Sequence, residues 1–385
     1  MQLEPLHVNV LTWQRDSHEL FDYESRNLIR HAFSFSTSKR FFRKGVDITA
    51  VEEAIADSAL QSVGPSEGPL DYLLNAVSFD GRYLIHPAEK QPLGNPIQSK
   101  KLWLVVRELG QYTLSEGDVI KLGRFKLRVK MACSEPVDQL VRPDLGLDGG
   151  SLGYVAPPGA DGMACRICLL EGNGRDEDPL IEACSCRGSI QYVHMGCLRY
   201  WINGRLSLSD TTKFTYLFSQ LACELCKSQY PTQVQLADGT SVPLVPLPET
   251  KAPFIVLENM MRAEGAPPSA ETSRGVYVIS LAGKKMLRLG RGHESDVRIA
   301  DVSISRWHAT VSFTEDGRFV IEDHNSKFGT LVAMRKPRLV DLTKDATPLT
   351  VQAGRTVFKF MSAAQARAAA AEEAKQAPQI SAEEE

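Results

Sequence analysis

Apolar and polar positions alternate with a period of two over several short stretches of this chain, the mark of strands with one buried face. Between Tyr72 and Val129 the runs Leu102 to Val106 and Phe125 to Val129 are β-prone and punctuated by Gly110, Gly117 and Gly123. A second β-rich region, from Phe254 to Met361, alternates in Val276 to Ser280 and Arg318 to Ile321, and Asp316-Gly317 between Phe313 and Phe319 signals a hairpin. The segment Tyr112-Thr-Leu-Ser-Glu-Gly-Asp-Val-Ile is similar to Leu349-Thr-Val-Gln-Ala-Gly-Arg-Thr-Val, each ahead of a basic β-prone strand. The two β regions therefore read as distant copies of one fold. A helix is expected from Thr49 to Leu60, before Ser62 and Gly64. The proline- and glycine-rich passages at 132–163 and 231–253 cannot supply a packed core and read as linkers. Beyond Ala363 the sequence is rich in Ala and Glu, with no large apolar face to bury, which predicts a solvated tail.

The expected organisation is multidomain and mainly β. It comprises a partly helical segment at 1–60, a β-rich domain at 72–131, a cysteine-rich block at 164–230, a β-rich domain at 254–361 and a tail at 362–385. With 385 residues, two or three domains are the natural division. Basic side chains number 44 and acidic ones 47, a net charge of -3, too balanced to point to nucleic acid as the whole-chain partner. No run approaches the roughly 18 apolar residues of a membrane helix, and Glu4, Arg15, Asp16 and Glu19 interrupt the start. Neither a secretory signal nor membrane insertion is expected, and the cytoplasm or nucleus is the expected compartment. Lys39, Arg40, Arg43 and Lys44, interleaved with Phe41 and Phe42, read as a solvated face, and Asp176, Glu177 and Asp178 as a solvated loop. Cys133 reads as a small apolar residue or free thiol. No nucleophile elbow, dinucleotide fingerprint or His-Glu-x-x-His pair occurs, so no catalytic residue is expected.

Seven of the eight cysteines fall between Cys165 and Cys226. With one histidine they form the series Cys165-x2-Cys168, fifteen residues, Cys184-x1-Cys186, seven residues, His194-x2-Cys197, twenty-five residues, Cys223-x2-Cys226. Thiolate and imidazole suit zinc, and eight ligands fill two closed tetrahedral sites that are structural rather than catalytic. The apparent binding energy, on the order of 10–16 kcal/mol per zinc, then drives folding of the block. The text from Cys165-Arg-Ile-Cys168 to Cys197-Leu-Arg-Tyr-Trp201-Ile202 resembles the RING-CH (RING-variant) zinc finger. Leu221 replaces the tryptophan that a PHD finger would carry there. The resemblance implies a cross-brace, with Cys165, Cys168, His194 and Cys197 on one zinc and Cys184, Cys186, Cys223 and Cys226 on the other. It also implies a RING-type ubiquitin ligase whose conjugating-enzyme surface comprises Ile167, Trp201 and Lys227.

In the second β region, Leu289-Gly290-Arg291-Gly292, Ser305-Arg306-Trp307-His308-Ala309 and Asp323 to Thr330 resemble the successive motifs of the forkhead-associated (FHA) domain. Such domains are eleven-stranded β-sandwiches that bind phosphothreonine peptides on loops at one end. A dianionic phosphate wants a guanidinium and a hydroxyl, which Arg291 and Ser305 supply. Arg306 and Lys327 join them by the resemblance, while Gly290, His308 and Gly329 support the loops. The family's usual asparagine, which holds the peptide backbone, is replaced by Phe328.

The combined expectation resembles RING-CH plus FHA proteins of single-celled eukaryotes. It is a ligase that recruits a phosphothreonine-containing protein through the FHA domain and presents it to a bound ubiquitin-conjugating enzyme. The alternative is a non-catalytic scaffold joining two partners. A further expectation is that Tyr72 to Val129 is a degenerate FHA copy that dimerises the chain.

Overall fold

The computed structural model describes residues 4–53, 70–89, 97–135, 139–143, 152–157, 162–172, 178–206, 215–218, 221–261, 275–343 and 346–376. Alternating burial shows how the β sequence is used. In the strand Leu6–Trp13, Leu6, Val8 and Val10 face a core while His7, Asn9 and Leu11 lie on the opposite face. In Phe125–Cys133 the same alternation buries Leu127 and Val129.

Eleven strands form one continuous sheet, with Leu102–Val105 and Thr330–Ala333 adjacent near its middle, where Leu104 lies opposite Val332. On one side follow Leu349–Ala353, Thr356–Met361, Leu6–Trp13 and Leu28–Phe35. On the other follow Val119–Leu122, Phe125–Cys133, Phe254–Asn259, Val276–Ser280 and Thr215–Phe218. A second sheet covers the first half, in the order Arg338–Val340, Arg82–Pro87, Leu70–Phe79, Lys39–Lys44, Asp47–Glu52, with Ile97–Ser99 beside Leu70–Phe79. A third covers the other half, in the order Gln111–Thr113, Phe319–Asp323, Ala309–Phe313, Met286–Gly290, Val297–Arg298. Two sandwiches thus share one long sheet.

Each sandwich is closed by strands from the other's stretch of sequence. Val351, Phe358 and Phe360 pack with Leu6, Phe41, Leu74 and Tyr83 in the first core. Ile120, Leu122, Leu127 and Val129 pack with Ile255, Leu287, Val311 and Ile321 in the second. Gln111–Thr113 and Arg338–Val340 cross over in the same reciprocal way. The expected separation of 72–131 from 254–361 therefore does not describe how the cores are built. The similar segments Tyr112–Ile120 and Leu349–Val357 do not occupy equivalent places: the first runs from Gln111–Thr113 into the hairpin Val119–Cys133, and the second is itself the first strand and turn of the other exchanged hairpin.

Three other expectations change. The Thr49 to Leu60 helix is replaced at its start by the strand Asp47–Glu52, and 54–60 lie outside the described residues. Lys39–Lys44 is a strand rather than a solvated face, with Phe41, Phe42 and Arg43 buried. Arg43 meets Asp71 at 2.5 Å and the Thr356 hydroxyl at 2.9 Å, so its charge is satisfied internally. The passages read as linkers carry paired strands: Leu140–Val141 with Thr250–Lys251, and Leu152–Val155 with Gln233–Gln235. Cys133 is a buried free thiol beside Phe218 and Phe254.

The tail begins as a helix, Ala363–Gln376. Ser362 Oγ accepts the Gln365 N–H and Gln365 Oε1 accepts the Ser362 N–H, a reciprocal cap ahead of an alanine-rich run of high helix propensity.

Phe358 is fully buried with its ring 5.4 Å from that of Phe41. Phe358→Ala is expected to cost about 3–5 kcal/mol. Because Phe358 packs in the first core, hydrogen exchange is expected to accelerate first in Leu6–Val10 of the first sandwich. A loss confined to 276–333 would contradict it.

Candidate functional site

The cysteine-rich module has its own core of Leu180, Ile181, Val193, Leu198, Ile202 and Val234 packed with the thiols. Its helix, Met195–Leu206, starts where Asp178 Oδ1 accepts the Gly196 N–H at 2.6 Å. Asp178 is thus a helix-starting acceptor, while Asp176 and Glu177 lie outside the described residues. Further along the chain, the strand Thr215–Phe218 pairs with Val276–Ser280 at the edge of the long sheet. Phe218 is buried there against Phe254, Val256 and Val278, so the module is fastened to the second sandwich.

Among the described residues, Cys165, Cys168, His194 and Cys197 form one group and Cys184, Cys186, Cys223 and Cys226 another. The ligand atoms of each group lie within 4.8 Å of one another. This is the cross-braced pairing. Two sulfurs about 2.3 Å from a tetrahedral zinc stand roughly 3.8 Å apart. Cys186 and Cys223 Sγ are 3.8 Å apart, and His194 Nδ1 is 3.3 Å from Cys168 Sγ and 3.9 Å from Cys197 Sγ. His194 Nε2 lies 2.9 Å from the Gly172 carbonyl, so the proton belongs on Nε2 and Nδ1 keeps its lone pair for a metal. The donors and spacing fit two structural zinc ions.

The knuckle turns come from the short spacing. Leu169 and Lys227, each directly after a Cys-x2-Cys pair, adopt φ of 64° and 63°, and donate to the carbonyls of Cys165 and Cys223. Burial raises the Cys165 thiol, but amides of Cys168, His194 and Ile167 overcome it and hold the group near 7. The Ser228 hydroxyl and amide hold Cys226 near 6. Burial pushes Cys186 and Cys197 up to about 12, protons that metal binding expels. Arg166, not singled out by sequence, donates to Cys184 Sγ at 3.2 Å and to Tyr230 Oη at 3.2 Å. It offsets the surplus negative charge of four thiolates on one dication.

Ile167 stands exposed on the first knuckle, and Lys227 is exposed with Nζ donating to the Glu224 carbonyl at 2.8 Å. Trp201 packs edge-on against Tyr230, with the Arg205 guanidinium 5.3 Å over its ring. It lines a groove of about 440 Å³ with Leu206, Leu217, Leu221 and Glu224, which Ile167 does not line.

On the second sandwich, the end of Met286–Gly290 delivers Arg291 to the surface. Gly290 is required because a Cβ there would fall 2.1 Å from the Arg306 carbonyl. Arg291 Nε donates to the Ile304 carbonyl at 3.1 Å, and its amide to the Ser305 carbonyl at 3.0 Å. Arg306 is exposed, its carbonyl accepting from the Gly292 amide and the Ser295 hydroxyl. The Ser305 hydroxyl accepts the Lys327 amide at 3.2 Å, which brings the three loops together. Beneath them the buried His308 accepts the Ser305 amide on Nδ1 at 3.1 Å and donates Nε2–H to the Gly329 carbonyl at 3.2 Å. Burial holds His308 below its ordinary pKa, hence neutral.

Asp323, whose part the sequence left unread, organises the last loop. It accepts from the Ser326 and Thr330 hydroxyls, both their amides, and Arg107 of the crossing segment. Burial opposes its charge, but these partners hold the carboxyl below its usual range. Trp307 was likewise missed: partly exposed, it lies between the Arg288 guanidinium, 4.4 Å away, and the His324 ring, 4.3 Å away. Phe328 packs toward Trp13 at 6.2 Å, against the first sandwich.

These two sites define a chain with a closed two-zinc RING-variant module and an FHA fold carrying an exposed arginine beside a half-buried serine. Residues 165–226 match the RING-variant domain and residues 287–347 the FHA domain. Over 72 residues the chain is 42% identical to E3 ubiquitin-protein ligase MARCHF8 of Homo sapiens, 19% of this chain and 20% of that protein. The Xenopus tropicalis protein of that name is 42% identical over 72 residues, 19% and 22% of the two chains. E3 ubiquitin-protein ligase MARCHF7 of Rattus norvegicus is 35% identical over 78 residues, 20% and 10%. The chain thus spans about a fifth of the length of the MARCHF8 relatives.

Zinc analysis is expected to find two ions per chain. Cys184→Ser should release about one while leaving amide protection in Leu6–Val10 and Ala309–Phe313 unchanged, since those cores contain no ligand. Because the folded pKa of His308 is depressed, the unfolded chain binds the extra proton. Its contribution to stability is therefore present above about pH 6.5 and lost as pH falls below that. Amide protection of Ala309–Phe313 should decline below about pH 6.5, and less steeply in His308→Gln.

Proposed function

We propose that this chain is a RING-type ubiquitin ligase that selects threonine-phosphorylated proteins through its FHA site. The observation that carries the reading is the pairing of two closed four-ligand clusters with a surface that displays Ile167 and the Trp201 groove. Bound zinc supplies folding energy and a fixed surface, and no covalent chemistry. Ile167 and Trp201 would seat a ubiquitin-conjugating enzyme, and Lys227 would contact the enzyme and its ubiquitin. A neutral acceptor lysine Nζ then attacks the thioester carbonyl, the amide forms as the conjugating enzyme's cysteine leaves as thiolate, and the amine proton is lost, so no covalent intermediate forms on the RING-variant module. The chain would act by orienting the reactants.

Arg291, Ser305, Arg306 and Lys327 would bind the phosphate of the recruited protein. The strand Thr215–Phe218 and the paired segments around Leu140 and Thr250 support a fixed placement of the RING-variant module on the second sandwich. Among the described residues no helix is long and apolar enough to cross a membrane. Recruitment through phosphothreonine is thus the proposed route to substrates.

The test is self-ubiquitination by the purified chain with ATP, activating enzyme and a panel of conjugating enzymes. Ile167→Ala is expected to lower product at least about tenfold with both zinc ions retained, the loss of one interface anchor worth roughly 1.4 kcal/mol or more. Absence of product with every conjugating enzyme, at full zinc content, would favour the scaffold reading.

A further inference from the structure

The loop carrying Lys327 is held by the first sandwich as well as its own. The Tyr23 amide donates to the Lys327 carbonyl at 2.9 Å. The Tyr23 ring lies over Gly329, 2.7 Å from where a Cβ would be, and φ of 75° there also calls for glycine. Arg107 stacks 4.5 Å from the Tyr23 ring and donates to the Ser326 carbonyl at 3.0 Å. Beside these contacts, Asp22 Oδ2 lies 3.4 Å from Lys327 Nζ, with the Asp22 side chain 10% exposed and that of Lys327 49% exposed. Asp22 Oδ1 accepts the Glu24 amide at 3.0 Å, which fixes the carboxylate in place.

Lys327 is thus a phosphate-binding candidate that already has a counter-ion, supplied by the other sandwich. Phe328, next in sequence, is turned toward Trp13 rather than toward a peptide. Resting on the phosphothreonine reading above, we propose that Asp22 competes with the phosphate for Lys327, so that the first sandwich holds the site partly neutralised until a phosphothreonine peptide takes the lysine. An arriving dianion meets two opposing effects from Asp22: the lysine must leave its carboxylate, and the carboxylate repels the phosphate. The ion pair is half exposed, which limits the effect to a few-fold. The contact also couples the sites in reverse: occupation of the site should loosen Asp22 from Lys327 and so weaken the seam between the sandwiches.

The experiment uses the full chain and a fluorescein-labelled phosphothreonine peptide selected from an oriented library, followed by anisotropy, with the unphosphorylated peptide as control. Asp22→Asn keeps the acceptor for the Glu24 amide and removes the charge. It is expected to tighten binding about two- to fivefold. In a Lys327→Met background, which itself weakens binding, the same change should give a much smaller gain, because the lysine it releases is gone. Equal or weaker binding by Asp22→Asn, or an undiminished gain without Lys327, would overturn the proposal while leaving phosphothreonine recognition intact. Failure of both the wild-type chain and Asp22→Asn to prefer any phosphorylated peptide would overturn recognition itself and the competition with it.

Discussion

The antiparallel contact between Leu102–Val105 and Thr330–Ala333 is the constraint on which the rest of this molecule depends. After each of these strands the chain crosses to the other sandwich, so the strand pair is the seam where two exchanged halves meet. Neither core closes on its own sequence: the first needs Val351, Phe358 and Phe360, the second Ile120, Leu122 and Leu127. Such contacts are long in sequence, and loop closure must be met before they stabilise anything, so folding of the sandwiches is expected to be slow and mutually dependent. The exchange also places both hairpins inside a continuous sheet, away from its open edges.

Zinc does for the inserted module what strand exchange does for the sandwiches. Its core mixes a few aliphatic side chains with ligand sulfurs, too little apolar burial to be self-sufficient without the metal. Cross-bracing ties Cys165 to Cys197 and Cys184 to Cys226, which fixes the knuckles and the helix that carries Trp201. Fastening through Phe218 then turns a metal-dependent module into part of the sandwich wall. A phosphopeptide site and a conjugating-enzyme surface placed this way would have a set geometry, unlike two sites joined by flexible linkers.

Much of this was legible where short-range chemistry decides. Cys-x2-Cys and His-x2-Cys pairs can each reach one ion almost regardless of the surroundings, and the pairs combine into the two clusters that the resemblance implied. The turn carrying Arg291 was legible because Gly290 leaves room that no other residue leaves. What was not legible depends on partners far apart in sequence. The hairpins Val119–Cys133 and Leu349–Met361 are both β-prone, and alternation says which face is buried but not which sandwich a hairpin completes. Lys39–Lys44 looked solvated because its four cations outnumber its two phenylalanines. Only Asp71 and Thr356, both remote, show that Arg43 is buried with its charge matched.

The same comparison sets apart the arginines that the two sandwiches carry at equivalent places. Lys39–Lys44 and Met286–Gly290 occupy the fourth place in their respective sheets, counted from the exchanged strand. Each brings an arginine to that end of its sandwich. Arg43 lies against Asp71 with its side chain 6% exposed, its donors taken by a carboxylate and a hydroxyl of its own chain. Arg291 is exposed, and its described side-chain bond is from Nε to a backbone carbonyl. A buried, matched guanidinium contributes to a core, and an exposed one at a loop junction can meet a phosphate. What separates the two copies is therefore the surroundings of that arginine, Asp71 and Thr356 around Arg43 in one and the open junction of the Ser305 and Lys327 loops beside Arg291 in the other.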